Sequence, residues 1–441
     1  MYQYDNKITQ TTNKGNLNIL EIAFICSLFL IMPPILGLPF LIYWIFSTKK
    51  ATISDYFCFF FCLAIYFAAI NATKAPDGDQ VNYYIAYENV PEQGFIGSLI
   101  HIYGLSAQLS PEKTQISGEF MNGVYNYIGY YLTFGYYPLF AAILTFAQYF
   151  LLFLGVYNFC LCLKKPHIPI ICGCLIIAFF YLFFNLTMQI QKQFMAQCIM
   201  MYVIGKYANT GKMNLKLWTI AVIAIFTHAA TGLFLPLLWY KPLRKNLDKR
   251  SIIILGSIFF LFIFLGPQLA GNISSDNNSV LNYGLSRLAT STNTKDGASL
   301  NEEDMLINGM NVAPAHLIVI GIPILFIVLK RLFFNKKKKR TEAENLILNI
   351  TLCLLLSIIA MTNQPTAQYR YFMMLYAFMP FIYPMTFLQI NQRNIFLKFL
   401  SFIMIIWFYL DFEKIIWHYA PEIDIILKSP ILLIFSNYHN L

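Results

Sequence analysis

"ISDYFCFFFCLAIYFAAINATKAPDGDQVNYY", residues 53–84, is the stretch that decides the fold. Its first part is a run of about twenty apolar and aromatic residues, long enough to cross a hydrocarbon core about 30 Å thick as an α-helix. Its second part, from Lys74 to Tyr84, places one cation, two carboxylates and two tyrosines within eleven residues. The stretch therefore predicts a transmembrane helix with a polar cluster at its mouth.

Long apolar runs of the same kind recur along the chain. Hydrophobic residues make up 58% of its 441 residues and charged residues only 12%, whereas a soluble domain would carry about a quarter charged residues. The prediction is an all-α, polytopic integral membrane protein that forms a single transmembrane helical domain over residues 1–441. No cleavable signal peptide is expected, because the first run is too long and contains Pro33-Pro34. The apolar segments lie near residues 18–46, 54–71, 138–162, 168–184, 187–206, 216–240, 251–270, 314–334, 345–362, 371–389 and 394–411.

The basic residues indicate topology in a lipid bilayer rather than a nucleic-acid partner. The net charge is +10, but the cations form short clusters between the apolar runs, as in the cytoplasmic loops of membrane proteins. The run between Lys216 and Lys241 has cations at both ends, so it must enter the membrane and return as a hairpin, with His228 near its outer turn. The same parity predicts about twelve crossings with both termini outside. The basic clusters are Lys49-Lys50, Lys164-Lys165, Lys206/Lys212/Lys216, Lys241 to Arg250 and Lys336 to Arg340.

Two long loops then face outward, at residues 72–137 and 271–313. The first carries apolar residues at helical spacing between Phe120 and Leu132, which predicts an amphipathic helix lying in the membrane interface. Residues 93–109 are a candidate for a second such helix. The second loop is rich in Asn, Ser, Thr and Asp, as is typical of irregular segments.

Polar residues inside the apolar segments are the strongest functional signal, because ionisable groups are costly in a bilayer. Gln189, Lys192 and Gln193 share one helix face, which should point into the bundle and toward an anion. A lysine that snorkels to the interface is the alternative. Arg370 begins another helix at its outer end and suits recognition of phosphate or carboxylate, or else anchors the helix beside Tyr371.

The remaining candidates lie at the same predicted face of the membrane. His228 at the hairpin turn is a candidate hydrogen-bond donor or proton shuttle, or a buried histidine with satisfied partners. Cations and carboxylates together suggest a site for an anionic lipid head group and for an acceptor that loses a proton, although Asp77 also fits a solvated surface cluster. The nine cysteines lack CxxC spacing and nearby histidines, so we expect core residues, no metal site and no cofactor. The ionisable residues assigned to the outer side are Lys74, Asp77, Asp79, Lys192, His228 and Arg370.

Four motifs in order give the chain a resemblance to the EpsG family of bacterial exopolysaccharide proteins, which are Wzy-like. That family carries Arg-x-x-x-Gly-Asp-x-x-x-Tyr after its second transmembrane helix, an Arg-Gln-x-x-Ala motif in a middle helix, a histidine-containing hairpin and a late Arg-Tyr pair. Two of its arginines are lysines here, which keeps the charge but loses the planar fork that binds phosphate in a bidentate way. The matching residues are Lys74, Gly78, Asp79 and Tyr83, then Lys192-Gln193-Phe194-Met195-Ala196, then "FTHAATGLFLPLL" around His228, then Arg370-Tyr371.

The resemblance implies a glycosyltransferase of the GT-C type that polymerises undecaprenyl-diphosphate-linked oligosaccharide repeat units. It implies a multi-pass protein of the bacterial inner membrane with its active site on the periplasmic, outer face. A chain-length regulator is a further candidate partner. In this interpretation Asp79 and His228 are catalytic. The diphosphate is bound by Lys74, Lys192, Gln193 and Arg370, and the glycan by Tyr83, Gln189 and Tyr371.

Two other functions fit parts of the pattern. An O-antigen ligase, which passes the glycan to lipid A, would use the same diphosphate clamp. A lipid-linked glycan transporter or flippase would need intramembrane charges along a path to both faces of the membrane. The predicted clustering of the ionisable residues at one face favours an enzyme.

Overall fold

In the structure, a computed structural model, the regular secondary structure of the described residues is helical and includes no strand. For some helical residues, Arg370 among them, the structure describes the backbone alone. The described residues are 18–48, 50–102, 116–180, 184, 190–247, 250–251, 253–254, 256–257, 261, 321–334, 340–360, 365–386, 395–410, 418–436 and 438. The predicted loop at 271–313 lies outside them.

Seventeen α-helices follow one another in the described chain. Short 3-10 helices at Ala229–Leu233 and Lys241–Arg244 flank the eleventh helix, and a π-helical turn covers Lys330–Phe334. The α-helices are α1 (Ile19–Ile31), α2 (Pro34–Ser47), α3 (Ile53–Ala72), α4 (Asp79–Glu88), α5 (Val90–Ile100), α6 (Met121–Leu132), α7 (Tyr137–Cys160), α8 (His167–Phe179), α9 (Gln191–Thr210), α10 (Leu215–Thr227), α11 (Phe234–Trp239), α12 (Ile322–Leu329), α13 (Glu342–Ala360), α14 (Pro365–Thr386), α15 (Ile395–Leu410), α16 (Glu422–Leu427) and α17 (Pro430–Phe435).

Several of these helices have the character of membrane helices. Among the described residues, α3, α7 and residues 342–359 of α13 are long and apolar enough to span a membrane, and shorter apolar helices surround them. The apolar run at 18–46 divides into α1 and α2, because Met32 and Pro33 are extended and Pro33 has no N–H to continue a helix. Large apolar side chains such as Phe24 and Phe40 are exposed, as expected of a surface in contact with lipid. Three clear spans do not establish twelve crossings, so that number stays a prediction.

The centre of the bundle is α7, against which α3 and α9 pack. Phe67 of α3 stacks on Tyr149 of α7 with ring centroids 5.1 Å apart. Further along α7, Gly155 meets Gly205 of α9 so closely that a Cβ on Gly205 would overlap the Gly155 carbonyl oxygen. Small residues at such crossings allow helix backbones to approach closely, which drives helix association in membranes.

The two ends of this bundle differ in chemistry. Asn71, at the end of α3, donates to Thr145 Oγ1 of α7 at 3.3 Å. Gln148, one turn further along α7, donates to the Gln191 carbonyl at the start of α9, also at 3.3 Å. We call this end, where α3 ends and α7 and α9 begin, the polar end. The opposite end, called the basic end, carries Lys50, Lys164, Lys165, Lys206, Lys212, Lys216 and Arg244.

The hairpin expected between Lys216 and Lys241 is present. Helix α10 starts just after α9 at the basic end and stops at His228, whose backbone is extended (φ −155°, ψ 121°). The chain then turns through Ala229–Leu233 and returns as α11. Arg244 closes the hairpin by donating to the Tyr207 carbonyl, in the last turn of α9, at 2.9 Å. His228 is therefore held at the polar end, while both ends of the hairpin lie at the basic end.

Helices α4, α5 and α6 belong to the segment of chain that connects α3 to α7. The buried side of α6 consists of small and amide residues, including Asn122, Gly123 and Asn126. Gly123 packs directly on the Ser98 carbonyl of α5, where a Cβ would not fit. The apolar side of α6, which includes Leu132, is exposed, so this helix turns its polar side to the protein and its apolar side outward.

The contact between α7 and α9 generates a prediction about folding. Gly205→Ala should destabilise the protein by about 1–3 kcal/mol, because the added methyl group forces the two backbones apart. The measurement is the melting temperature and the yield of monodisperse protein in detergent. Gly232→Ala is the matched control, since a Cβ at Gly232 meets no atom within 4 Å. Equal melting temperatures for the two variants would contradict the proposed role of the close contact.

Candidate active site

A buried carboxylate, Glu119, lies at the centre of the polar end. Its Oε2 accepts a hydrogen bond from Lys192 Nζ, and the two charged groups form an ion pair. Its Oε1 accepts from the Ala229 N–H at 3.0 Å and lies 3.9 Å from His228 Nε2. Glu119 and Lys192 are each only 4% exposed. Three potential donors from α9 and from the hairpin turn thus converge on one carboxylate, and we call these residues the Glu119 cluster.

The loop before α6 holds Glu119 against the hairpin. Phe120, the next residue, packs its ring against Phe226 of α10 with centroids 4.9 Å apart. One turn further on, Tyr125 Oη lies at hydrogen-bond distance, 2.9 Å, from Thr227 Oγ1. These contacts fix the start of α6 beside the break at His228, so the carboxylate reaches Lys192 in the first turn of α9.

The charge state of Glu119 follows from these contacts. Burial alone would raise the pKa of its carboxyl group, but His228, Lys192 and the Ala229 N–H outweigh burial and lower that pKa to about 2. The carboxylate is therefore ionised at neutral pH. It is also a poor proton acceptor in this arrangement, because an efficient general base has a pKa near the working pH.

His228 is positioned as a hydrogen-bond donor. Its Nδ1 accepts from the Ala230 N–H at 3.2 Å, and its carbonyl accepts from Thr231 Oγ1 at 2.9 Å. Because Nδ1 acts as an acceptor, we assign the ring proton to Nε2, the nitrogen that faces Glu119. In this tautomer His228 offers a proton to an anion and does not withdraw one from a substrate.

Lys74 forms a second buried cluster at the polar end. Its Nζ donates to Gln80 Oε1 at 2.5 Å and to the Ala75 carbonyl at 3.3 Å, and Gln80 Nε2 donates in turn to Tyr137 Oη at 3.1 Å. Burial lowers the pKa of the Lys74 ammonium group to about 7, against the opposing effect of Asp77. Lys74 therefore titrates near neutral pH, unlike an exposed lysine.

The segment 418–420 covers this second cluster. The Ala75 N–H donates to the His418 carbonyl at 2.9 Å, and His418 Nδ1 lies 3.5 Å from Asp77 Oδ2. Tyr419 Oη donates to Asn71 Oδ1 at 3.2 Å. The residues after α3 are thus tied both to α7 and to a segment more than three hundred positions later in the chain.

The other predicted residues after α3 occupy the rim of the polar end. Gly78 has φ +53°, a conformation that favours glycine, and this turn starts α4 at Asp79. The Asp79 side chain is exposed and makes no hydrogen bond or ion pair with any residue that the structure describes. Tyr83, one turn along α4, is 3% exposed.

Arg370 and Tyr371 lie near the start of α14, at the same end of the bundle. Helix α8 runs toward the polar end, and Tyr376 of α14 meets Phe180, just after α8, with ring centroids 5.7 Å apart. The first turns of α14 therefore lie at the polar end, and Tyr371 is partly buried there. Gln193 is buried in α9 beside Lys192. Gln189 is outside the described residues.

The structure joins Lys192 and His228 through Glu119, and it places Lys74 in a separate cluster at the same end. Sequence reasoning missed Glu119, although a buried lysine requires an opposite charge and Glu119 directly precedes the apolar stripe of α6. It also missed a group of buried side-chain amides with atoms that have no hydrogen-bond partner within the described structure. These amides belong to Gln148, Gln191 and Gln197.

These features define a helical membrane protein with two clusters of buried polar and charged groups at the polar end of the bundle. A family model described as the EpsG family matches residues 56–420, and the chain belongs to that family. The match covers the second cluster, around Lys74, together with the Glu119 cluster and α14. No curated protein and no solved structure gives a significant match to this chain.

The Glu119–Lys192 pair generates a prediction about stability. Lys192→Met should destabilise the protein by about 3–5 kcal/mol, because it leaves the Glu119 charge buried without its cation. Adding Glu119→Gln should restore most of that loss, since it removes the uncompensated charge. Thermal unfolding in detergent of the wild type, both single variants and the double variant checks this.

Lys428→Met is the control for loss of a lysine. Lys428 pairs with Asp424 at 2.9 Å on the surface, so its removal should leave the melting temperature nearly unchanged. If the losses of the two single variants of the buried pair simply add, the two side chains are not coupled in the folded protein.

Proposed function

We propose that this protein is a membrane glycosyltransferase that polymerises undecaprenyl-diphosphate-linked repeat units into surface polysaccharide. Membership of the EpsG family supports a role in polysaccharide synthesis. The observation that carries the proposal is the convergence of Lys192 Nζ, His228 Nε2 and the Ala229 N–H on one buried anion. Such a group of donors suits a reaction in which negative charge develops on a leaving group.

The orientation follows from the two ends of the bundle. Lysine and arginine concentrate in the cytoplasmic loops of membrane proteins, so the basic end faces the cytoplasm and the polar end faces the periplasm or cell exterior. The protein then lies in the bacterial inner membrane with its site on the outer side. About twelve crossings and a GT-C-like arrangement of helices are part of the same proposal.

The donor side of the reaction is assigned to the cations. The leaving group is a lipid diphosphate, and Lys74, Lys192 and Arg370 stabilise its developing charge while Gln193 donates hydrogen bonds. Lysine acts here as a compact charge rather than as a bidentate fork. Because burial brings the pKa of Lys74 to about 7, its contribution depends on pH.

The acceptor side is assigned to the rim of the polar end. Asp79 is exposed there, which favours the role of orienting the acceptor hydroxyl group. His228 donates a hydrogen bond from Nε2. Tyr83, Tyr371 and Gln189 stay the predicted glycan contacts, because aromatic faces and amides suit sugar rings and hydroxyl groups. Tyr83 is only 3% exposed, so its contact with a glycan requires the rim to open. A chain-length regulator stays a candidate partner.

Two other functions remain as alternatives for the test to separate. An O-antigen ligase would bind the same lipid diphosphate and transfer the glycan to a different acceptor. A flippase would carry the lipid-linked glycan across the membrane. The grouping of Lys74, Lys192 and His228 at one end of the bundle favours a transferase over a flippase, which needs a polar path to both faces.

Deletion of the gene should abolish the ladder of long surface glycans and leave glycans of a single repeat unit. Electrophoresis of surface glycan measures this, and loss of all glycan would support a ligase or flippase instead.

Complementation with Lys192→Arg should restore part of the ladder, whereas Lys192→Ala should not at equal expression, because one charged contact is worth about 1.5–3 kcal/mol. Lys428→Ala should restore it fully. A full ladder with Lys192→Ala would remove Lys192 from the site.

The low pKa of Lys74 predicts a pH dependence. The protonated lysine binds the donor, so kcat/KM should fall as the pH rises through about 7. Lys74→Arg should move this fall to higher pH, because arginine stays charged. Lipid-linked repeat units extracted from the deletion strain serve as substrate for the purified protein.

Three other titratable side chains lie around Lys74. They are Asp77, which acts on Lys74 directly, His418, which contacts Asp77, and Tyr137, which binds Gln80. None of them is altered by Lys74→Arg. A fall in kcat/KM that is the same in the wild type and in Lys74→Arg would therefore assign the titration to another group.

A further inference from the structure

We propose that Glu119 is the general base of the polymerisation and that the donor's diphosphate switches it on by displacing it from Lys192. This inference rests on the proposed function and adds a residue and a sequence of events to it. It is carried by the geometry of the Glu119 cluster, in which a carboxylate occupies a set of donors that suits a phosphate.

The donors around Glu119 form an anion site. Lys192 supplies a charged donor, the Ala229 N–H a fixed backbone donor at 3.0 Å, and His228 Nε2 a third at 3.9 Å. A phosphate group has more oxygen acceptors and more charge than one carboxylate, so it competes well for the same donors. In the structure the carboxylate of Glu119 stands where a phosphate oxygen of the donor would bind.

Displacement leaves Glu119 close to the incoming anion. The Glu119 N–H donates to Ser117 Oγ at 3.2 Å, and Phe120 stays packed on Phe226. These contacts do not involve the carboxylate, so the loop holds its place while the side chain turns away from Lys192. The carboxylate then remains in a buried site but has lost its cation. Burial without a compensating cation favours the protonated form, so Glu119 becomes a stronger proton acceptor.

The proposed step moves one proton and replaces one C–O bond with another. The carboxylate of Glu119 takes the proton of the acceptor sugar hydroxyl, and that oxygen forms a bond to the anomeric carbon of the donor. The bond from this carbon to the diphosphate oxygen breaks, and its electron pair leaves with the diphosphate, which Lys192 and Lys74 stabilise. Protonated Glu119 then gives its proton to solvent and returns to Lys192 when the lipid diphosphate departs.

The other candidates fit this role less well. His228 uses Nδ1 to accept from Ala230 and carries its proton on Nε2, so it has no lone pair facing the site. Asp79 is exposed, and within the described residues it contacts no cation that a donor could remove. Glu119 forms an ion pair with Lys192, a lysine assigned to the donor, so donor binding changes the basicity of Glu119 directly.

The test compares Glu119→Gln with the wild type in two assays on the purified full-length protein. Undecaprenyl diphosphate is titrated into each protein, with binding followed by thermal shift, and polymerisation is measured on extracted lipid-linked repeat units. Glu119→Gln should bind undecaprenyl diphosphate about tenfold more tightly or better, because a neutral amide competes less for Lys192. It should lose about a hundredfold or more in turnover, the usual size of a general-base effect.

Two further variants serve as controls for the effect of Glu119→Gln. Glu92→Gln changes an exposed carboxylate on α5 and should behave as the wild type in both assays. Glu119→Asp keeps a carboxylate but draws it back by one methylene, so it should bind the probe more tightly than the wild type and keep measurable turnover. If Glu119→Gln does not fold, Glu119→Asp still tests the proposal in both assays.

Each outcome supports or overturns the proposal. Weaker or unchanged binding of undecaprenyl diphosphate by both Glu119 variants overturns the displacement, and near wild-type turnover of Glu119→Gln overturns the assignment of the base. Loss of turnover in Asp79→Asn together with normal turnover in Glu119→Gln assigns the base to Asp79. If the wild type itself does not polymerise, the proposed function fails, and the binding assay still shows whether Glu119 and a lipid diphosphate compete for Lys192.

Discussion

The buried ion pair between Glu119 and Lys192 joins three parts of the chain that are far apart in sequence. Glu119 comes from the loop before α6, Lys192 from α9 and the Ala229 N–H from the turn of the hairpin. The desolvation of two buried charges offsets much of their Coulomb attraction, so the pair adds little net stability. It favours one arrangement of the three segments, because any other arrangement would leave a buried charge unpaired. The contacts of Phe120 and Tyr125 with α10 place the start of α6 beside His228 and so allow that arrangement.

Much of the fold could be read from the sequence because it rests on local patterns. Apolar runs of sufficient length indicated α3, α7 and α13, and the cations at both ends of the run from Lys216 to Lys241 indicated a hairpin. The first apolar run divides into α1 and α2 at Pro33, because proline has no N–H for a helical hydrogen bond. Proline is itself apolar, so the run of apolar residues continues across the break. Length and composition alone do not reveal such a break, and they leave the number of crossings open.

The site was harder to read because its partners are distant in sequence. The face of α9 that carries Lys192 and Gln193 indicated a buried cation that needs an anion, and that anion was assigned to a substrate. The structure shows that Glu119 already fills this place, 73 positions earlier in the chain. Lys74 lies close to Asp79 in sequence, but it donates hydrogen bonds to Gln80 and Ala75, while the Asp79 side chain is exposed. No periodicity encodes which polar residues meet across a bundle.

The composition of α9 has a consequence for how the protein is made. This helix packs at the centre of the bundle, yet it carries a lysine and three glutamines within its first two turns and is absent from the described helices that are apolar enough to span a membrane unaided. A lysine opposes the transfer of a helix from the translocon into lipid, by about 2.5–3.5 kcal/mol at the helix centre and by less toward its ends, where Lys192 lies. Helix α9 therefore depends on α7, synthesised before it, for the Gly155–Gly205 contact, and on the earlier Glu119 for a counter-charge. Insertion of α9 therefore depends on contacts with earlier parts of the chain more than on its own hydrophobicity. Until the hairpin has been synthesised, the Glu119 carboxylate has Lys192 as a donor but lacks His228 and the Ala229 N–H.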